Sequence, residues 1–137
     1  GGAFANATIF AMSITPYVNS SIIMQLLTVA IPSLERLAKE GIDCEIIDLR
    51  TIVPLDTETI IESVKKTGKL IVADEAYERC GIGAEIGAAI ADDVFYYLDA
   101  PVGRVANPNV PLPFSPSLEF PLIPSEEKVY QKVLTYF

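Results

Sequence analysis

Four short apolar runs return along the chain, and the segments between them carry helical rather than strand periodicity. The runs are ATIFAMS (7–13), CEIIDL (44–49), KLIVAD (69–74) and VGRVAN (102–107). The intervening segments are SIIMQLLTVAIPSLERLAKEG (21–41), TETIIESVKKTG (57–68) and AEIGAAIADDVFYYL (84–98), with EEKVYQKVLTYF (126–137) following the last run. Strands that are apolar almost throughout are buried on both faces, and alternation with helices joins them in parallel. The pattern therefore predicts an α/β fold, a three-layer α/β/α arrangement around a mainly parallel sheet. With 137 residues, half of them apolar, the chain fits one domain over 1–137 with a sizeable core.

Local signals set the element ends. Asp56 and Ser125 are placed to cap the helices that follow them, and Glu126 and Glu127 complement the dipole of the last one. Gly41 and Gly68 are expected C-terminal stops. Pro32 predicts either a kink or a true helix start near Ile31. Repeated prolines between 108 and 124 predict an irregular arm across the surface.

Charge and missing residue types exclude several functions. Ten basic against 18 acidic residues leave a net charge of −8, which repels nucleic acid and anionic membrane surfaces. Histidine is absent, so no Ser–His or Cys–His nucleophile and no histidine-ligated metal can be built. Cys44 and Cys80 are too few for a disulfide framework and are expected as buried, inert thiols. No charge precedes Glu35, yet Pro16, Asn19, Ser20, Ser21, Gln25 and Pro32 break up the apolar stretch. It reads as a buried strand and a buried helix, with a membrane segment as the weaker alternative. Opening on GGAF without an initiator methionine is what a piece of a longer polypeptide would show.

The stretch CGIGAEIGAAIADD (80–93) is the strongest candidate for chemistry. Gly81, Gly83 and Gly87 could cradle a phosphate at a helix N-terminus, or could be a turn that lets a helix pack on the sheet. Their spacing is one residue longer than the dinucleotide fingerprint, and EAYERC (75–80) separates the apolar run from the first glycine. NAD or ATP binding is therefore not expected. Asp48 and Arg50 end one strand and suggest a structural ion pair rather than a substrate clamp. Asp74 and Glu75 end the next; neighbours on a strand face opposite ways, so solvated charges or helix-cap contacts are expected instead of an acid–base dyad or metal site. Tyr96, Tyr97, Tyr130 and Tyr136 are expected at core edges or interfaces.

The segments LAKEGIDCEIIDLRTIVPLDTETIIESVKKTGKLIVADEA, GIGAEIGAAI, YLDAPVGRVANPNVPLPFSPSLE and IPSEEKV, in this order, carry a resemblance. From about Leu27 to Phe137 the chain resembles the C-terminal domain of the beta subunit of thiamine-diphosphate-dependent 2-oxo acid dehydrogenases, of the pyruvate, branched-chain or acetoin type. More broadly it is similar to the transketolase C-terminal domain. The resemblance implies a complete enzyme that decarboxylates a 2-oxo acid on thiamine diphosphate with Mg2+ and acylates a lipoyl group. The family carries its cofactor motifs on the alpha subunit and on an N-terminal beta domain absent here. No catalytic, cofactor-binding or metal residue is thus implied for this chain, which is expected to be inactive alone. The implied role is subunit assembly and docking. Its partners would be an alpha subunit, a second beta subunit and the basic subunit-binding domain of a dihydrolipoyl acyltransferase.

Asp92, Asp93, Asp99 and the terminal carboxylate of Phe137 are the candidate docking residues. Gly81 and Gly83 become a structural turn, with Gly87 and Ala88 allowing close helix–sheet approach. The implied location is the cytoplasm, or alternatively the mitochondrial matrix. Residues 14–26 stand out against the family as an atypical insertion. Two other readings stay open: a stand-alone small-ligand module using the sheet edge near Gly81 to Glu85, or an inactive truncated product.

Overall fold

Strand β3 (Leu70–Tyr77) shows why this sequence folds in layers. Its side chains alternate: Ile71 and Ala73 enter one apolar core, while Leu70 and Val72 enter another. The structure, a computed structural model, describes residues 5–12, 20–49 and 51–137, with side chains from Val29 onward. Around β3 lie β1 (Ala5–Met12), β2 (Ile42–Leu49) and β4 (Gly103–Asn107). The four strands form one sheet in the order β2-β1-β3-β4, every pairing parallel. Thr8 sits opposite Leu70 and Met12 opposite Asp74, so β1 ends beside Asp74 while β3 runs on to Tyr77.

Helices α1 (Ser20–Lys39) and α5 (Glu126–Leu134) cover one face, where Leu37, Val129 and Val133 meet Ile71 and Val105. Helices α2 (Thr57–Thr67) and α3 (Ile82–Val94) cover the other, where Ile60, Val64, Ile86 and Ile90 meet Leu70 and Val72. Ile60, Ile86 and Ile90 of that second core are fully buried, each contributing about 1.5–3 kcal/mol through the surface removed from water. This is the α/β/α architecture expected. A one-turn helix, α4 (Pro116–Glu119), interrupts the proline-rich arm.

The caps follow the local chemistry. The Thr59 N–H donates to Asp56 at 3.1 Å, the Lys128 N–H donates to Ser125 at 3.3 Å, and Gly68 closes α2 with φ +72°. Elsewhere the boundaries differ. Helix α1 runs unbroken through Pro32, so the start near Ile31 is not observed; Ala30, Ser33 and Leu37 bury one stripe and hold the helix through packing. Strand β3 continues to Tyr77, past the expected end at Asp74. Helix α3 begins two residues earlier than its apolar pattern suggests and gives way at Phe95–Tyr97 to a 3₁₀ turn. Helix α5 ends at Leu134, leaving Tyr136 and Phe137 in a turn beyond it. Arg50 and residues 14–19 of the expected insertion lie outside the described residues; residues 20–26 belong to α1.

Candidate functional site

In the sheet, the chain order reverses between β1 and β3, and α/β sheets commonly hold ligands outside the strand ends at such a point. Asp74 stands there. Alternation puts it in the row of Leu70 and Val72, facing α3, and only 2% of it is exposed. One carboxylate oxygen accepts the Gly83 N–H at 3.1 Å and the other accepts the Ala76 N–H at 2.6 Å. Gly83 is the second residue of α3, so an N–H that could greet a phosphate is already bonded to the chain's own carboxylate. Burial pushes the Asp74 carboxyl above its usual range, against the opposing pull of these two hydrogen bonds and of Arg104. A diphosphate group does not fit these residues, because it would meet like charge and a spent donor.

Asp74 is therefore not a solvated charge; it is a buried helix-end contact. The glycines match that geometry. A Cβ on Gly83 would stand 2.7 Å from the Asp74 carboxylate and 3.4 Å from Val72. Gly81 has an ordinary extended φ of −80°, but a Cβ there would collide with the Tyr77 carbonyl oxygen. Gly87 is different: a Cβ would meet only Val102 at an ordinary 3.6 Å, and Ala88 is exposed. The expectation that both let the helix lie close to the sheet does not hold for this pair.

Glu75 takes no part with Asp74. Burial and the nearby Glu119 raise its carboxyl, and its main-chain carbonyl accepts the Asn107 side-chain amide at 2.5 Å. Asn107 is buried and, among the described residues, its Oδ1 has no partner. The Glu78 N–H donates to the Asn107 carbonyl at 2.9 Å and the Arg79 N–H to Asn109 Oδ1 at 3.0 Å, stitching the β3–α3 loop to the end of β4. Within that loop Cys80 is exposed at φ +56°, and Cys44 is half-buried, so neither is the fully buried thiol expected. Among the described residues no group of three His, Cys, Asp or Glu is arranged for a metal ion.

The opposite end of the sheet, where the strands begin, gathers the candidate docking residues. Lys69, just before β3, is 14% exposed in its side chain; its ammonium lies 3.6 Å from the Asp99 carboxylate and 4.8 Å from the centre of the Phe137 ring. Asp99 and Phe137 thus share one cation that sequence reading had not singled out. Asp99 is 70% exposed at its side chain and also donates its N–H to the Gly68 carbonyl at 2.8 Å. Asp92 and Asp93 are exposed in the last turns of α3 and form no ion pair among the described residues. Beside them Phe95 and Tyr96 pack edge to face with centroids 5.2 Å apart, Tyr96 being 92% exposed, while Lys65 lies 5.2 Å over the Tyr97 ring. Of the tyrosines, Tyr130 is buried between the helices under Arg36 and Tyr136 packs against the same core. Lys69 was missed because nothing local marks it; only the fold brings residues 69, 99 and 137 together.

Comparison with known proteins places this arrangement in a family. Residues 24–129 match the family described as transketolase, C-terminal domain, and the chain belongs to it. It is 50% identical over 97 residues to the pyruvate dehydrogenase E1 component subunit beta of Rickettsia felis, covering 71% of this chain and 30% of that protein. It is 48% identical over 100 residues to the acetoin:2,6-dichlorophenolindophenol oxidoreductase subunit beta of Cupriavidus necator, covering 73% of this chain and 30% of that protein. The chain therefore spans about 30% of the length of the relatives it matches. A solved structure titled split gene transketolase, inactive beta4 tetramer, shares the fold with a TM-score of 0.70 at 23% identity, covering 98% of this chain and 39% of that one.

Proposed function

We propose that this chain is the assembly and docking portion of a 2-oxo acid dehydrogenase beta subunit of the pyruvate or acetoin type. In this reading the complete enzyme decarboxylates a 2-oxo acid on thiamine diphosphate with Mg2+ and transfers the acyl group to a lipoyl group. The observation that carries it is the 50% identity to a pyruvate dehydrogenase beta subunit across most of this chain. The cofactor belongs to other parts of the enzyme. In support, the α3 N-terminus is closed by Asp74, which also disfavours a stand-alone ligand module near Gly81 to Glu85. Relatives of bacterial and mitochondrial origin support the cytoplasm or the mitochondrial matrix as its place. No helix among the described residues is long and apolar enough to cross a membrane.

Within that enzyme the chain packs against an alpha subunit and a second beta subunit. It offers Asp92, Asp93, Asp99 and Phe137 to the basic subunit-binding domain of the acyltransferase. Exposed rings flanked by carboxylates suit a partner rich in arginine. The test is surface plasmon resonance of a peripheral subunit-binding domain on the assembled enzyme, at two salt concentrations. Asp92→Lys with Asp93→Lys should slow association and remove most of its salt dependence, while Phe137→Ala should speed dissociation. Unchanged kinetics in all variants would leave the domain a subunit-packing element only.

A further inference from the structure

The sheet ends at β4, which pairs with β3 and, among the described residues, with no other strand. Alternate residues of a strand turn their N–H and C=O groups to opposite sides, so part of the β4 main chain faces outward unpaired. A cleft of about 550 Å³ opens beside this edge, lined on one side by Arg104, Val105 and Ala106. On the other side it is lined by Lys128, Gln131, Lys132 and Thr135, one stripe along α5 and its last turn. That stripe is about 10 Å long, the span of roughly three extended residues.

The cleft is basic in a chain whose net charge is −8. It holds the cations of Arg104, Lys128 and Lys132 against the single carboxylate of Glu78. The Lys128 ammonium donates to the carbonyls of Pro121, Leu122 and Ile123 at 2.7, 2.9 and 2.8 Å, and among the described residues no carboxylate neutralises it. Burial lowers its pKa accordingly. Lys132 lies 5.5 Å over the Tyr136 ring and, among the described residues, also lacks a carboxylate partner. Arg104 spends one nitrogen on the Glu78 carbonyl at 2.6 Å and keeps the other 3.9 Å from the Glu78 carboxylate.

We propose that this cleft takes an extended acidic segment of a partner protein, added as a strand to the open edge of β4 with the carboxylates of alternate residues reaching Lys132 on the α5 side. The edge supplies main-chain pairing and the cations select the sign of the partner. A second copy is a poor occupant, because two-fold pairing of β4 with itself would set Arg104 and Lys132 against their own kind. The proposal stands apart from the acidic docking end and does not depend on the family reading.

The test is fluorescence anisotropy of a labelled hexapeptide of alternating Glu and Val titrated with the chain at low and moderate salt. Saturable binding that weakens with salt is expected, with no binding of the matching Lys–Val peptide. Lys132→Glu should weaken binding by about tenfold. Gln131→Glu, exposed on the same stripe, should move it in the same direction and stands in should the first variant not fold. Methylating the main-chain nitrogens of one alternate set should abolish binding, and methylating the other set should spare it. Any of four results would overturn the proposal: no saturation, equal binding of the Lys–Val peptide, indifference to both methylation patterns, or displacement by free glutamate at equal carboxylate concentration. A dimer of the chain that the peptide dissolves would assign the edge to a second copy and overturn it too.

Discussion

The two ends of this parallel sheet are built on different principles. Where the strands finish, each group is fixed by a specific neighbour: the buried Asp74 on two N–H groups, Gly81 and Gly83 against backbone and carboxylate, and the buried Asn107 on the Glu75 carbonyl. Where the strands begin, the groups are exposed and loosely held: Asp99 and Phe137 around Lys69, Asp92 and Asp93 without an ion pair among the described residues, and the rings of Phe95 and Tyr96 in solvent. In many α/β proteins the first end receives the ligand. Here it is closed by the chain's own carboxylate, and the second end is the one free to meet a partner. The difference teaches where sensitivity should lie, with stability at the finishing end and association at the starting end.

The sharpest way to break that contrast is at Gly83. A valine there would press on the Asp74 carboxylate and Val72, neither of which has room to move, and should cost about 3 kcal/mol of stability. Chemical denaturation read by circular dichroism would show it. A variant as stable as the parent would mean that the helix–strand approach is not tight.

Asp74→Ala tests the same end through hydrogen bonding. It leaves the Ala76 and Gly83 N–H groups without an acceptor and should cost about 2 kcal/mol. The pH dependence adds a second readout. Because burial raises the Asp74 carboxyl, the native state binds its proton more readily than the unfolded chain does. That contribution is fully present below the unfolded pKa and is lost as pH rises through the folded one. Glu75 is raised as well and adds a slope of the same sign. Asp74→Asn should therefore flatten, without abolishing, the fall in stability between acid and neutral pH in denaturant titrations.

Within the same helix, Gly87→Ala provides the contrast. Only Val102 faces the new methyl, at an ordinary distance, and alanine narrows the unfolded ensemble. A gain of about 0.5–1 kcal/mol is expected in the same denaturation assay. A loss would show that α3 lies as close to the sheet at Gly87 as at Gly83.

How much of this was readable beforehand follows the same division. The layers, the caps at Asp56 and Ser125 and the stop at Gly68 were legible because periodicity and capping act within a few residues. Strand alternation correctly separated Asp74 from Glu75. It could not say that Asp74 is buried, since that depends on where α3 begins, and the apolar pattern put that start two residues late. Gly87 was misjudged because a glycine in a helix pattern gives no sign of its distance to the strand beneath. The cluster of Lys69, Asp99 and Phe137 and the open edge of β4 arise from contacts distant in sequence, and no local spacing encodes them.

The smallest expected effect on stability is at the starting end, and it is the most informative about function. Asp99→Asn removes the ion pair with Lys69, but the carboxylate is largely in solvent at 3.6 Å, so screening and side-chain entropy offset most of the attraction. The Asp99 N–H bond to Gly68 stays, because it belongs to the main chain. Unfolding free energy should change by less than about 0.5 kcal/mol, and by still less in high salt. Releasing Lys69 also leaves its ammonium to the Phe137 ring alone, which makes this edge more positive toward an incoming basic partner. The same variant should therefore slow association of a subunit-binding domain with the assembled enzyme at low salt and leave it nearly unchanged at high salt. A stability loss comparable to that of Asp74→Ala would erase the contrast between the two ends, because Asp99 would then be a structural ion pair. An unchanged association rate at both salts would remove Asp99 from the docking surface while leaving the fold as described.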